Sequence, residues 1–479
     1  FLLCPLLQSS DTKVREAAAA ALAQFVHADT HEEMGVAEQT KEALASADCI
    51  PTLRPLLQSS NEKLRTNALS VLHGLSGSPR LVPKMITADI VAPIVSILTM
   101  PNASDESLEK AARIICNIAI TSKEVRARVH GAGGLAIAVQ LLKSPKPTLR
   151  SCACELVNTF SADQEAQVIL RDSNAIETLL NLLATGNDTD LIDRTRGYGI
   201  YAADALSKML ATTTDIGYSH RITAVQANGG HILSRLLQNC RELLKRPTDM
   251  PSGAALARHV AKCIDAMGRD TQSLGAMYLG GSQGSQALAS AITGLLQVLQ
   301  VILELSQISA TVSAASMIVA AVGSLCGASL PRVATDPMLA QQHQHATSAA
   351  AMARQHVTGR QGVEYFMPLL AQPMVSSGSA GDDMRLNALR ALLIIVSDEV
   401  ACGGRSRQVQ HLTAMADSGA IEVVAKKLQS SDNKREGLEA FALMCGPAGR
   451  AAYGQRHVQT MQACVVSVSQ CLLNQPMDI

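Results

Sequence analysis

One phrase recurs along this chain and restricts its fold more than any other feature. Pro5-Leu-Leu-Gln-Ser-Ser10 is followed by Asp-Thr-Lys-Val-Arg and an alanine run to Phe25. Pro55-Leu-Leu-Gln-Ser-Ser60 is followed by Asn-Glu-Lys-Leu-Arg and then an apolar stretch to Leu75. The same frame returns around Leu98, Leu142, Leu183, Leu237, Leu370 and Leu428. Between the early copies the spacing is about 41 to 50 residues, the range of helical repeat arrays rather than of a compact single core. With 479 residues the chain is also longer than one core usually holds.

Each copy reads as helix, tight turn, helix, polar link, helix. Small residues precede the Leu-Leu helix in Gly131–Gly134, Asn228–Gly230 and Asp417–Ala420, where a left-handed residue lets the chain reverse. The Ser-Ser-Asp or Ser-Ser-Asn after the Leu-Leu pair supplies N-cap oxygens for the third helix. That helix is apolar at helical spacing, as at Leu64, Ala68, Leu72 and Leu75. Composition agrees. Apolar residues make up 47% of the chain but aromatics only 2%, and Trp is absent, so Ala, Leu, Val and Ile must fill closely stacked helices.

These residues resemble the armadillo repeat, whose pattern looks like G-x-I-x-x-L-V-x-L-L, a polar link, then A-x-x-A-L-x-N-L. The resemblance is strong over 1–240 and 400–446 and weaker between about 240 and 362. It implies an all-α, right-handed armadillo/HEAT-type α-solenoid superhelix of about nine or ten three-helix repeats, extending on the order of 100 Å. Three regions follow: residues 1–240, whose first repeat lacks its initial helix; 241–362, divergent repeats with polar insertions; and 363–479, further repeats and a cap. Because Phe1 falls inside a repeat, the protein is expected to extend further toward its N-terminus. Residues 183–200, 240–256 and 371–383 read as polar insertions, either passive loops or partner-touching ones.

In armadillo proteins the third helices line a groove that holds extended peptides, and the nuclear-import branch does so with a repeated Trp and Asn four residues apart. The matching pairs here are Ser70 and Gly74, Arg113 and Asn117, Glu155 and Thr159, Asp204 and Lys208, and Arg390 and Ile394. Only Asn117 fits, which counts against nuclear import. Members resembling β-catenin use basic groove residues to hold acidic segments, and by that resemblance Arg113, Lys208 and Lys262 could do so here; with Asn117 and the groove charge Arg390 they are the candidate partner-binding residues. A solvated polar face is the alternative reading of each.

Other chemistry finds little support. Of P-loop, dinucleotide fingerprint, nucleophile elbow and HExxH zinc motif, none occurs. Gly280–Gly284 looks like a phosphate loop only superficially and reads better as a helix link. His343, His345 and His356 lack carboxylate or thiol companions at ligand spacing and read as solvated side chains. No cofactor or enzymatic activity is expected. Basic and acidic residues balance at 41 each, which disfavours general affinity for nucleic acid or an anionic membrane. Residues 271–330 carry one charge, Glu304. Their Ser, Thr, Gln and Gly content suits buried solenoid helices better than membrane spans.

Twelve cysteines include no CxxC pair. Cys116, Cys263 and Cys326 sit in apolar runs, and Cys152 and Cys154 point to different helix faces, so a reducing compartment is expected. The leading expectation is a non-catalytic scaffold that docks partners in a larger cytoplasmic assembly, with a ciliary or cytoskeletal one as a weak lean. The alternatives are a transient peptide-binding adaptor and the substrate-binding arm of an enzyme complex such as a ubiquitin ligase.

Overall fold

The computed structural model describes residues 3–26, 41–121, 123–186, 197–269, 281–304, 309–327, 337–359, 362–371, 379–396 and 401–418, with single positions 39, 191, 192, 398, 420, 421, 423 and 424. At 281–285, 309–310, 337–344, 371 and 379–383 the backbone alone is described. Every element among these residues is a helix, and they contain no strand. The chain forms two compact units, Phe1–Met209 and Leu210–Ile479. The sequence boundaries at 240 and 362 mark changes in repeat regularity, a separate matter from these units.

The first unit holds α1 (Leu3–Leu6), α2 (Thr12–Val26), α3 (Cys49–Leu53, continued as a 3-10 turn over Arg54–Gln58), α4 (Glu62–Ser76), α5 (Val82–Thr87), α6 (Val91–Leu98), α7 (Asp105–Thr121), α8 (Lys123–Gly131), α9 (Gly134–Leu141), α10 (Pro147–Phe160), α11 (Gln164–Asp172), α12 (Ala175–Thr185) and α13 (Gly199–Ala211). The third helices stack in chain order, α2 on α4, α4 on α7 and α7 on α10. Their apolar faces are buried completely, with Leu69, Leu72, Ile114, Ile115, Leu156 and Val157 at 0% exposure. One repeat alone has nowhere to hide these side chains, and its neighbour provides the place. Gly74 lets α2 and α4 approach closely: a Cβ there would meet Val26 Cγ2 at 2.4 Å.

In the second unit, α14 (Asp215–Gln226), α15 (Gly229–Leu244) and α16 (Met250–Arg269) form one helix triplet. After them come α17 (Gly281–Glu304), α18 (Ser309–Cys326), α19 (Pro337–Gly359), α20 (Gly362–Ala371), α21 (Ser379–Val396) and α22 (Arg405–Asp417). Here α16 packs on α18 and α18 on α21, while α15 packs on α17. Thus α17 and α18 are the second and third helices of a repeat in the region read as divergent. Residues 286–304 of α17 are long and apolar enough to cross a membrane by length and composition, yet 61% of that stretch is buried inside the unit.

Two of the expected insertions shrink. Within 240–256, α15 runs to Leu244 and α16 starts at Met250. Pro251 lies in the first turn of α16, where its missing N–H costs nothing. Of 371–383, α20 ends at Ala371 and α21 begins at Ser379. Within 183–200, Leu191 and Tyr198 are each 1% exposed, so that segment is anchored into the core.

The reversal before the Leu-Leu helix uses one left-handed residue in successive repeats: Asp48 (φ 50°), Asp89 (φ 51°), Gly133 (φ 75°), Asn174 (φ 57°) and Asn228 (φ 57°). The expectation of glycine-rich turns was too narrow, because Asp and Asn also tolerate this conformation. The N-cap expectation holds at Asn61, whose Oδ1 accepts from Leu64 N at 3.2 Å.

Two repeated side-chain staples tie the helices together. Arg15, Arg65 and Arg150 reach back with Nη1 to the carbonyls of Ser9 (2.5 Å), Ser59 (2.7 Å) and Ser144 (3.0 Å), clasping the link into the third helix. The C-terminal carbonyls of third helices are capped by the following repeat. Arg126 donates to Ala119 O, Gln167 to Ser161 O, Arg221 to Leu210 O, Arg354 to Cys326 O and Gln408 to Val396 O, at 2.6–2.8 Å. Carbonyls at a helix end lack intrahelical partners, so each staple removes a desolvation cost at a repeat junction.

Candidate partner-binding face

The five candidate residues all lie on third helices: Arg113 and Asn117 on α7, Lys208 on α13, Lys262 on α16 and Arg390 on α21. Each is half-buried on the side that the apolar core leaves uncovered. The first three belong to the first unit, the last two to the second.

In the first unit the candidates are largely occupied. Asn117 Nδ2 donates to Ser76 Oγ on α4 at 2.8 Å, a side-chain pairing between neighbouring repeats rather than an open amide for a peptide backbone. Arg113 Nε sits 3.3 Å from Glu109 Oε1, one turn back on its own helix. Lys208 Nζ binds Asp204 Oδ2 at 2.9 Å and Asn158 Oδ1 on α10 at 2.8 Å. Lys110, not singled out from the sequence, repeats the arrangement with Glu106 Oε1 at 2.7 Å and Ser70 Oγ at 2.6 Å. Thr66 and Ser107 hydroxyls meet at 3.0 Å. Polar side chains on this face therefore bind the repeats to one another.

Glu155 differs. Neither hydrogen bond nor ion pair holds its carboxylate among the described residues. Burial lifts its pKa above the usual carboxylate range, and Arg113 pulls the other way. Burial opposes the charge on Arg113, but Cys152, Glu109 and Glu155 together outweigh it, so its pKa is raised. Below them, burial pushes Cys152 up to about 12 and Cys116 well above its ordinary range. Both are inert core thiols. The nine described cysteines, Cys152 and Cys154 included, are all free and buried.

The second unit leaves Lys262 more open. Lys262 makes no hydrogen bond or ion pair among the described residues, and it lies one turn beyond Arg258. Arg258 Nη2 lies 3.1 Å from His259 Nε2. Arg385 Nε is buried without a hydrogen-bond partner; five residues before Arg390, it lies about 140° round the helix from it, in the register of Arg65 and Arg150. Between α16 and α21 runs α18, whose 18 residues carry no charge. Asn387 Nδ2 donates to Ser316 Oγ at 3.1 Å and Ser324 Oγ to Asp265 Oδ1, which fixes the three helices in register. Asp265 is the one acid among the described side chains of these helices, and Arg269 Nη2 holds it at 2.7 Å. Asp382 and Asp383 lie in the backbone-only turn that opens α21. Arg258 escaped the sequence reading. Its spacing of four residues before Lys262 was the available signal.

No cluster of three or more His, Cys, Asp or Glu that could hold a metal ion occurs among the described residues. The three histidines lie on α19. His356 Nε2 meets Thr293 Oγ1 of α17 at 2.9 Å, so it is a packing residue rather than a solvated one. The His343 side chain lies outside the described residues. Gly281–Gly284 open α17 as helix, not as a phosphate loop, and Gly280 lies outside the description.

Residues 38–77 match the armadillo/β-catenin-like repeat and residues 2–28 the HEAT repeat. An engineered protein of known crystal structure shares the fold, with a TM-score of 0.55 at 22% identity, over 93% of this chain and 98% of that one. A computationally designed armadillo repeat protein for modular peptide recognition aligns with 54% of this chain and 98% of its own, at 20% identity and a TM-score of 0.44, a likeness too slight to argue from. A probable inactive serine/threonine-protein kinase of Dictyostelium discoideum is 25% identical over 150 residues. That alignment covers 30% of this chain and 8% of the kinase, so the chain spans under a tenth of that relative. The chain is an armadillo/HEAT-type α-solenoid. Folds of this class are compatible with protein and peptide binding and are typically non-enzymatic.

Proposed function

We propose that this chain is a non-catalytic docking scaffold whose second unit holds an acidic, extended protein segment across α16, α18 and α21. The carrying observation is the charge balance of that face: Arg258, Lys262, Arg269 and Arg390 stand against Asp265 among the described side chains. The uncharged α18 between them leaves Ser313, Met317, Ala320 and Ser324 half-exposed, a stripe free of competing charge. Carboxylates on such a segment would meet half-desolvated cations, where charge-assisted hydrogen bonds exceed those on an open surface. The acidic-partner reading of Arg113 and Lys208 loses support because acids on their own helices already hold them. Nine free buried thiols support a reducing, cytoplasmic setting, and a larger assembly there remains part of the proposal.

The test is fluorescence anisotropy with a labelled (Glu-Ser)6 peptide and the full chain. The reading expects saturable binding that weakens with salt as several ion pairs are screened. The double variant K262E/R390E should reduce affinity by at least about tenfold. Equal binding by the parent and this variant would show that the face is not used.

A further inference from the structure

Two thiols from neighbouring repeats meet in the first unit, away from the face proposed above. We infer that Cys4 on α1 and Cys49 on α3 form a reversible disulfide that locks the first repeat to the second.

The placement follows from the local sequence. Cys49 opens α3 directly after the left-handed Asp48, and Thr52 Oγ1 donates to Cys49 O at 2.7 Å, which fixes that first turn. Pro55 has no N–H with which to continue the helix, so the chain tightens into the 3-10 turn over Arg54–Gln58. A cavity of about 620 Å³ opens along this interruption, lined by Leu7 and Gln8 after α1 and by Pro51, Thr52, Pro55 and Leu56. The end of α1 therefore lies beside α3. Cys4 stands one turn before Leu7 and Gln8, as Cys49 stands one turn before Thr52. The two thiols lie within hydrogen-bonding reach of each other, and their residues are 4% and 0% exposed. From such a contact, small side-chain rotations bring two sulfurs to bonding distance. Three other thiols face different groups: Cys116 the Thr159 hydroxyl, Cys152 the Arg113 guanidinium, and Cys402 the carbonyls of Ile395 and Val396.

The two cysteines divide the work. Burial pushes the Cys49 thiol above its ordinary range, and the neighbouring Cys4 adds to this. Cys49 is thus the resolving thiol, while Cys4, next to the exposed Pro5 and Leu6, meets the oxidant. With glutathione disulfide as that oxidant, the Cys4 sulfur attacks one glutathione sulfur and the glutathione S–S bond breaks. One glutathione thiol leaves with the Cys4 proton. The Cys49 sulfur then attacks the Cys4 sulfur, and the second glutathione leaves with the Cys49 proton. Two protein thiols are oxidised, and one glutathione disulfide is reduced to two thiols. The product closes the loop from Cys4 to Cys49 and restrains the unfolded chain, which strengthens the junction between the two repeats.

The test is incubation of the full, folded chain with glutathione disulfide, alkylation of the remaining thiols, and peptide mapping by mass spectrometry. The expected product is a linked Cys4–Cys49 peptide, about 2 Da lighter than the two free peptides together, and lost again in reduced glutathione. Oxidation should raise the thermal midpoint by about 3 °C or more. That rise should vanish in Cys4→Ser and in Cys49→Ser and persist in Cys152→Ser. Each variant is compared before and after oxidation, so a general destabilisation by serine does not imitate the loss. Absence of the linked peptide, glutathione adducts at Cys4 without linkage to Cys49, linkage only in denaturant, or an unchanged midpoint in the linked chain would overturn the inference.

Discussion

The two units stack third helices by the same rules yet finish the uncovered faces differently. In the first, Ser70, Ser76, Asn117, Lys110, Asn158 and Lys208 bind neighbouring helices to each other. In the second, the central α18 is uncharged, Lys262 of α16 makes no ion pair among the described residues, and Asp265 is held by Arg269. The difference teaches that a charged residue at a groove position reports binding only after its neighbours are known. Asp204 and Glu109, each four residues before a candidate cation, turn Lys208 and Arg113 inward to the scaffold.

The largest expected effect concerns packing. Gly74→Ala puts a Cβ against Val26 Cγ2 and within 3.1 Å of Val26 O. It should destabilise the first unit by about 2 kcal/mol, read from urea unfolding. Gly323→Ala in α18 meets Ala391 Cβ at an ordinary 3.4 Å, and should be neutral or stabilising by about 0.5 kcal/mol. Equal losses at both sites would break the contrast in helix approach.

The staples should behave alike in both units. Arg126 joins Ala119 O to Asp163 Oδ2 at 2.7 and 2.6 Å. Arg354 joins Cys326 O to Asp398 Oδ2 at 2.6 and 2.8 Å. Replacing either with Met removes the donor while keeping the stem, and should cost about 1–2 kcal/mol in chemical denaturation. A large loss for one variant and none for the other would show that the junctions are not equivalent.

Much of the fold was legible because the Leu-Leu helix, the Ser-Ser link and the Ala-rich third helix recur as one phrase. The turn residue was only partly legible, since Asp48, Asp89 and Asn174 reach the left-handed region without glycine. The repeat of α17 and α18 was hidden because its third helix is Ser- and Ala-rich and lacks the polar link that marks the others. Residues 240–256 read as a polar insertion, although most of them extend α15 to Leu244 and open α16 at Met250. In the candidate site the residue types and i,i+4 acids stood in plain view. The Asn117–Ser76 and Lys208–Asn158 pairs did not, because each spans a whole repeat and depends on how two helices register.

A smaller effect sharpens the contrast by pH. Burial lowers the pKa of His130, which stacks edge-on against Phe160 at 5.1 Å, with Asp163 and Glu165 opposing. The unfolded chain then takes up this proton more readily. The stability that neutral His130 provides is present above its ordinary pKa of about 6.5 and is lost as pH falls below it. Between pH 7.5 and 5.5 the parent should lose more thermal stability than His130→Gln, by under about 1 kcal/mol. A parent no more acid-sensitive than the variant would contradict the burial assigned to this ring.

The most direct test of the contrast between faces is hydrogen–deuterium exchange of the full chain, read by mass spectrometry with saturating (Glu-Ser)6. The account predicts added protection in peptides from α16, α18 and α21, lost at high salt, with residues 105–121 and 199–211 unchanged. Protection concentrated on residues 105–121 and 199–211 instead would contradict it, returning Arg113 and Lys208 to the partner-binding role that their pairing with Glu109 and Asp204 argues against.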